Sequence, residues 1–211
     1  MRTVRQNRGT STRLATAIMA GACRRTSSYR NLPEDSLTEN YRFAFERRQR
    51  AAALGDVASR NALAIMFLEP ASGAPDFAGA VRLLIENASQ RDLDSMFLLG
   101  LLLLDEHYRG HYADQVFRLW HTAAGSELAI AQYGAAVMLE HGLGTEVSER
   151  EASFWYSRAA ANDLDQGLAR LLDTFFSILD ANSSRRTPMD LALRERIPTE
   201  EFERIPSGIV L

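Results

Sequence analysis

The side chains best equipped for chemistry in this chain are four histidines, at 107, 111, 121 and 141. His107 and His111 flank Tyr108-Arg109-Gly110, Asp105 and Glu106 directly precede them, and His141 sits in a later turn of the same kind. Three imidazoles and a carboxylate are a donor set for zinc. Such a site would make the chain a small hydrolase or a metal-binding protein. The spacing speaks against it. There is no His-Glu-x-x-His, and two histidines in a turn between helices are not held on one helix face. The expectation is surface histidines, no metal and no small-molecule cofactor.

Other reaction chemistries are excluded more directly. All 24 basic residues are arginine, so there is no lysine for a Schiff base or for a Gly-Lys-Ser/Thr phosphate loop. Gly-x-Ser-x-Gly, a Cys/His pair and a dinucleotide fingerprint are all missing. The acidic pairs Asp92/Asp94 and Glu149/Glu151 read as solvated faces. A formal charge of −3 gives no electrostatic footprint for nucleic acid. The chain is read as a non-enzyme.

Cys23 is the single cysteine. Before it stand Arg2, Arg5, Arg8 and Arg13, the apolar run Leu14–Ala22 (LATAIMAGA), and small residues at Ala20-Gly21-Ala22. A basic region, a short apolar core and small residues at a cut make a secretory signal. With cysteine next, it resembles a bacterial lipoprotein signal, which implies cleavage before Cys23 and lipid attachment to it. Arg24, where such lipoproteins carry Asp for inner-membrane retention, implies the outer membrane, facing the periplasm. Removal of 1–22 leaves 20 arginines against 27 acidic residues, a net charge of −7. The alternative is an Arg-rich organellar presequence or a plain tail, which would make the protein intracellular or organellar. The longest later apolar run, Met96–Leu104, is too short to span a bilayer.

The elements that would position all of this are helical. Ala152, Trp155, Tyr156, Ala159 and Ala160 fall at i, i+3, i+4, i+7 and i+8, one face of a helix. Gly142 and Gly144 before them suit a sharp turn. A shift of 36 residues finds Val116, Leu119, Trp120, Ala123 and Ala124 in the same places, then Ala80, Leu83, Leu84, Asn87 and Ala88. A degenerate copy at Ala44, Arg47, Arg48, Ala51 and Ala52 keeps its alanine pair and Gly55. The preceding helices repeat in the same frame: Ser59/Leu63/Ala64/Phe67, Ser95/Leu99/Gly100/Leu103, Ala131/Ala135/Ala136/Leu139 and Gly167/Leu171/Leu172/Phe175.

A fixed period of this size predicts an all-α, right-handed solenoid of stacked helical hairpins. About three full repeats (59–94, 95–130, 131–166) would lie between a lone helix at 38–54 and a closing helix from 167 to about 180. In this division 1–22 is the signal, 23–37 a linker, 38–180 the repeat domain, and 181–211 a tail with a short helix at 189–196.

From Ala131 to Ala160 the sequence resembles the Sel-one-like repeat, a relative of the tetratricopeptide repeat. Gly142, Gly144, Ala152, Trp155, Tyr156, Ala159 and Ala160 match that family's Gly-x-Gly and Ala-x-x-Trp-Tyr-x-x-Ala-Ala. Gly-x-Gly is missing from the flanking copies at 70–72 and 106–108. The resemblance implies an adaptor that binds proteins, here a lipid-anchored part of an envelope assembly or secretion system. Hydrolases of that family are cysteine-rich, which this chain is not. The partners implied are proteins, with membrane contact only through the anchor.

One further pattern bears on binding. Positions 3, 7 and 10 of each first helix lie opposite its packing stripe. They are Asn61, Ile65 and Leu68, then Phe97, Leu101 and Leu104, then Tyr133, Val137 and Glu140. The apolar members, Ile65, Leu68, Phe97, Leu101, Leu104, Tyr133 and Val137, would align into a partner-binding groove. Alternatively, neighbouring first helices or the tail bury them. Trp155 is expected in the core.

Overall fold

The computed structural model describes residues 39–68, 76–104 and 109–183. The signal, Cys23, the linker and the tail from 184 onward lie outside the described residues, as do Asp105, Glu106 and His107. Eight helices, and no strand, occur among those described: α1 (Glu39–Ala53), α2 (Val57–Leu68), α3 (Phe77–Ser89), α4 (Leu93–Leu103), α5 (Arg109–Gly125), α6 (Ala129–His141), α7 (Glu149–Ala161) and α8 (Gln166–Ser183). From α1 to α7 each helix packs against the next, and α8 packs mainly against α6. The arrangement is compatible with a helical solenoid.

Local chemistry sets the helix ends. Asp76 caps α3 by accepting from Gly79 N at 2.8 Å, and Asp92 caps α4 by accepting from Ser95 N at 2.9 Å. Ser148 opens α7, with Glu149 and Glu151 in the first turn where the helix dipole favours acid. Gly142 ends α6 in the left-handed region at φ 65°. Gly144 has φ 68°, and a Cβ there would stand 2.1 Å from the Ala113 carbonyl carbon of α5. The Gly-x-Gly therefore serves two needs: a left-handed cap, then a close backbone approach.

The turns between hairpins share one geometry. Gly55, Arg91, Glu127 and Asp163 all have positive φ, at 93°, 64°, 69° and 53°, and each stands 36 residues after the one before. Around them the same long turn bond recurs: Asp56 N to Ala51 O, Asp92 N to Asn87 O, Leu128 N to Ala123 O and Leu164 N to Ala159 O, at 3.1–3.3 Å. This is a Schellman-type closure of each helix. The starts of α2, α4 and α6 are likewise 36 residues apart.

Trp120 is the centre of the core. Its indole is fully buried, stacks on Phe97 with centroids 5.1 Å apart, and meets Phe176 of α8 edge-on at 6.1 Å. Gly100 of α4 and Gly134 of α6 make room for it; a Cβ at either would stand 2.1 Å and 2.6 Å from the indole.

Two sequence expectations need correction. Ile65, Leu68, Phe97, Leu101, Leu104 and Val137 are buried, so the expected open groove is core. The first helices are short and enclosed: every residue from Ser95 to Leu104 is buried. α4 packs against both α3 and α5, and a helix apolar all round is a buried one. Only Tyr133 of the seven is half-exposed. Trp155, in turn, is half-buried rather than fully enclosed, packed against the edge of the core.

Candidate interaction surface

A run of aromatic rings lies on the second helices, away from the filled first helices. Phe117 and His121 are one turn apart on α5, with ring centroids 5.6 Å apart. His121 meets Trp155 of α7 edge-on at 5.2 Å, and Trp155 meets Phe154 edge-on at 5.1 Å. His121 is exposed, Phe117 and Trp155 are half-buried, and Phe154 is 54% exposed. Four rings thus form a continuous ladder from one hairpin to the next, backed by the core through Phe117 and Trp155. Val147, in the loop before α7, is a further exposed apolar side chain. Edge-to-face ring pairs are mutually stabilising, which holds the ladder in shape.

A second cluster joins α6, α7 and α8. Tyr133 donates to Asp173 Oδ1 at 2.7 Å, Tyr156 donates to Glu140 Oε2 at 2.6 Å, and the two rings meet edge-on at 5.2 Å. Burial pushes both phenols above their usual range, and the accepting carboxylates push them further. Both stay protonated donors across the ordinary pH range. They fix the orientation of two exposed carboxylates and supply no base.

The polar residues inside the stack are structural. Asn87 donates to Val57 O at 3.1 Å and to Asn61 Oδ1 at 2.8 Å. Asn61 donates to Asp92 Oδ2 at 3.0 Å, and the Ser95 hydroxyl donates to Asn61 Oδ1 at 2.6 Å. Arg60 closes the set with Asn87 Oδ1 at 3.2 Å and an ion pair to Glu86 at 2.9 Å. The break in the apolar stripe at Asn87 is therefore one half of a lock between α2, α3 and α4. One bridge repeats the idea farther along: Gln132 donates to Ala124 O at 3.0 Å and accepts from Asn162 at 3.0 Å. Asp94, beside the lock, has its carboxyl raised to about 6, by burial first and by Asp92 second.

Of the histidines, His141 Nδ1 lies 3.0 Å from Val137 O on its own helix. His111 belongs to α5 by its backbone. Among the described residues no group of three or more His, Cys, Asp or Glu is placed to hold a metal, and no helix is long and apolar enough to cross a membrane. Sequence reading put Trp155 in the core and overlooked the ladder, because Phe117, His121 and Phe154 lie outside the five stripe positions. The signal was there: two aromatics one turn apart on α5, and Phe154 beside Trp155. Comparison with protein families, curated proteins and solved structures returns no match for this chain.

Proposed function

We propose that the chain is a non-catalytic scaffold that binds proteins, built as a right-handed solenoid on a 36-residue repeat of the Sel-one-like kind. The observation that carries the binding role is the ladder of rings from Phe117 to Phe154. The ladder presents partly exposed rings held by their neighbours and joined across two hairpins; tryptophan is enriched at protein-binding hot spots and phenylalanine in the cores of protein interfaces. The repeat is supported by the left-handed residue recurring every 36 positions from Gly55 to Asp163. The run before Cys23 supports a lipid anchor and an envelope location on the periplasmic side, as an outer-membrane lipoprotein in an envelope assembly or secretion system.

The test is recovery of cross-linked partners from membranes by the full chain, compared with Phe154→Arg and His121→Ala. Both side chains are exposed, so thermal unfolding should stay within about 1–2 °C of the parent. Specific partner bands should fall at least tenfold. Undiminished recovery in both variants would remove the ladder from the binding surface.

A further inference from the structure

Four large apolar side chains stand exposed among the described residues, and they fall into two pairs. Phe43 and Leu54, 72% and 89% exposed, belong to α1 and its end, while Val147 and Phe154 belong to α7 and the loop before it. On α1 the pair frames two exposed arginines, Arg47 and Arg50. The four positions are i, i+4, i+7 and i+11, which lie within about 60° of one another on a helix. Leu54 keeps that spacing, since its N–H still donates to Arg50 O at 3.3 Å. The opposite face of α1 is the one that packs on α2. There Tyr41 donates to Met66 O at 2.8 Å, and the Phe45 and Phe67 rings meet at 5.8 Å. Among the described residues neither Arg47 nor Arg50 has an ion-pair partner.

We infer that this stripe docks on the aromatic ladder of a second copy of the chain. Charge argues for that occupant. The ion pairs flanking the ladder, Arg118 with Asp114 and Arg158 with Glu127, are each neutral. What remains at its α7 end is Glu146, Glu149, Arg150 and Glu151, all exposed: three acids against one base, a net charge of −2. Glu146 adjoins Val147, and Glu151 stands one turn before Phe154 and Trp155. The α1 stripe answers with the two positive charges of Arg47 and Arg50, while Arg42 and Glu46 beside it cancel as an i,i+4 pair. Complementary potentials of this kind select and orient a partner, and aromatic and arginine side chains are enriched at interfaces. All four apolar side chains are exposed in one copy, so the two surfaces do not meet within it. Two different surfaces make a heterologous contact, which repeats from copy to copy. The inference rests on the ladder being the binding surface and names what it binds.

Charge-reversal mixing tests it, in the full chain carrying Cys23→Ser so that no lipid takes part. In sedimentation the parent's weight-average mass should at least double across a concentration series. Arg47→Glu/Arg50→Glu and Glu146→Arg/Glu151→Arg should each stay at the mass of one chain. Mixed in equal amounts, they should regain at least half of the parent's association, because every mixed contact again pairs opposite charges. A mixture that stays at the mass of one chain would overturn the pairing. All four sites are exposed, so helix content by circular dichroism should match the parent. Phe43→Ser/Leu54→Ser gives a second reading free of charge effects: association should weaken at least tenfold, and unchanged association would overturn the inference. So would undiminished association in Phe154→Arg, which takes the contact off the ladder. A parent that remains a single chain at every concentration also overturns it. The ladder reading then still stands if Phe154→Arg loses partner bands from membranes, and falls if it does not. Flotation with phosphatidylglycerol vesicles covers the other occupant. Binding by a non-associating parent that is lost in Arg47→Glu/Arg50→Glu would give the stripe to a lipid surface and overturn the inference.

Discussion

The indole nitrogen of Trp120 donates to the backbone carbonyl of Phe97 at 3.1 Å, tying α5 to the middle of α4 where the two rings stack. The bond sits over Gly100, whose missing side chain is what admits the indole. Gly100→Ala should therefore destabilise by about 1–3 kcal/mol through overpacking, despite the gain in helix propensity. Denaturant midpoints decide it; a stabilised Gly100→Ala would show that the indole moves aside freely.

The two tryptophans should separate cleanly. Trp120→Ala removes a fully enclosed side chain and should cost about 3–5 kcal/mol. Trp155→Ala, half-buried at the edge of the core, should cost clearly less, about 1–2 kcal/mol. Equal losses in chemical denaturation would mean that Trp155 is enclosed in solution.

Arg91 holds a left-handed backbone at φ 64° without being glycine. Such a residue carries a steric cost of about 1–2 kcal/mol that glycine avoids, partly offset by the entropy glycine loses on folding. Arg91→Gly should raise stability by about 0.5–1 kcal/mol, and Arg91→Val should lower it. An unfolding series at fixed pH reads both signs.

Asp94 gives a pH dependence of known sign. Its carboxyl titrates at about 6 in the folded protein against an ordinary 3.8, so the folded state binds its proton more tightly than the unfolded state does. Its contribution to stability is full below about pH 4 and is lost as pH rises through 6. Asp94→Asn should match the parent at pH 4 and be more stable at pH 7.5 by about 1–3 kcal/mol. A gain that is equal at both pH values would assign the effect to something other than ionisation.

The anchor prediction stands on sequence alone. A palmitate analogue should label the chain in a Gram-negative host and fail to label Cys23→Ser. Equal labelling of the two, or an intact Met1 on the mature chain, would reject it.

Much of the all-helical plan was legible because a 3.6-residue stripe and a turn glycine leave direct marks in a sequence. Gly142 and Gly144 could be assigned to a turn from their type, although the role of Gly144 against the α5 backbone needed coordinates. The strip through Phe97 and Leu101 was misread for a physical reason. Periodicity reveals that a face is apolar, but not whether a neighbour covers it, and a helix enclosed on all sides has no free face to find. Arg91, Glu127 and Asp163 left no trace, since nothing in those residue types announces a left-handed backbone. Asn87 reads only as a polar break in a stripe because its partners, Asn61 and the Val57 carbonyl, are 26 and 30 residues away.

That lock has a consequence for the order of the hairpins. If the second and third hairpins were exchanged, every turn would keep its shape and every stripe its period. Ala131, however, would arrive where Ser95 now stands, and it has no hydroxyl to donate to the Asn61 amide oxygen. Asn61 would keep Asn87 and Asp92 but lose one of its hydrogen bonds in a buried place, at a cost of about 0.5–1.5 kcal/mol. The hairpins look alike, yet they are addressed: each copy carries, in a few polar atoms, the identity of the neighbour it expects.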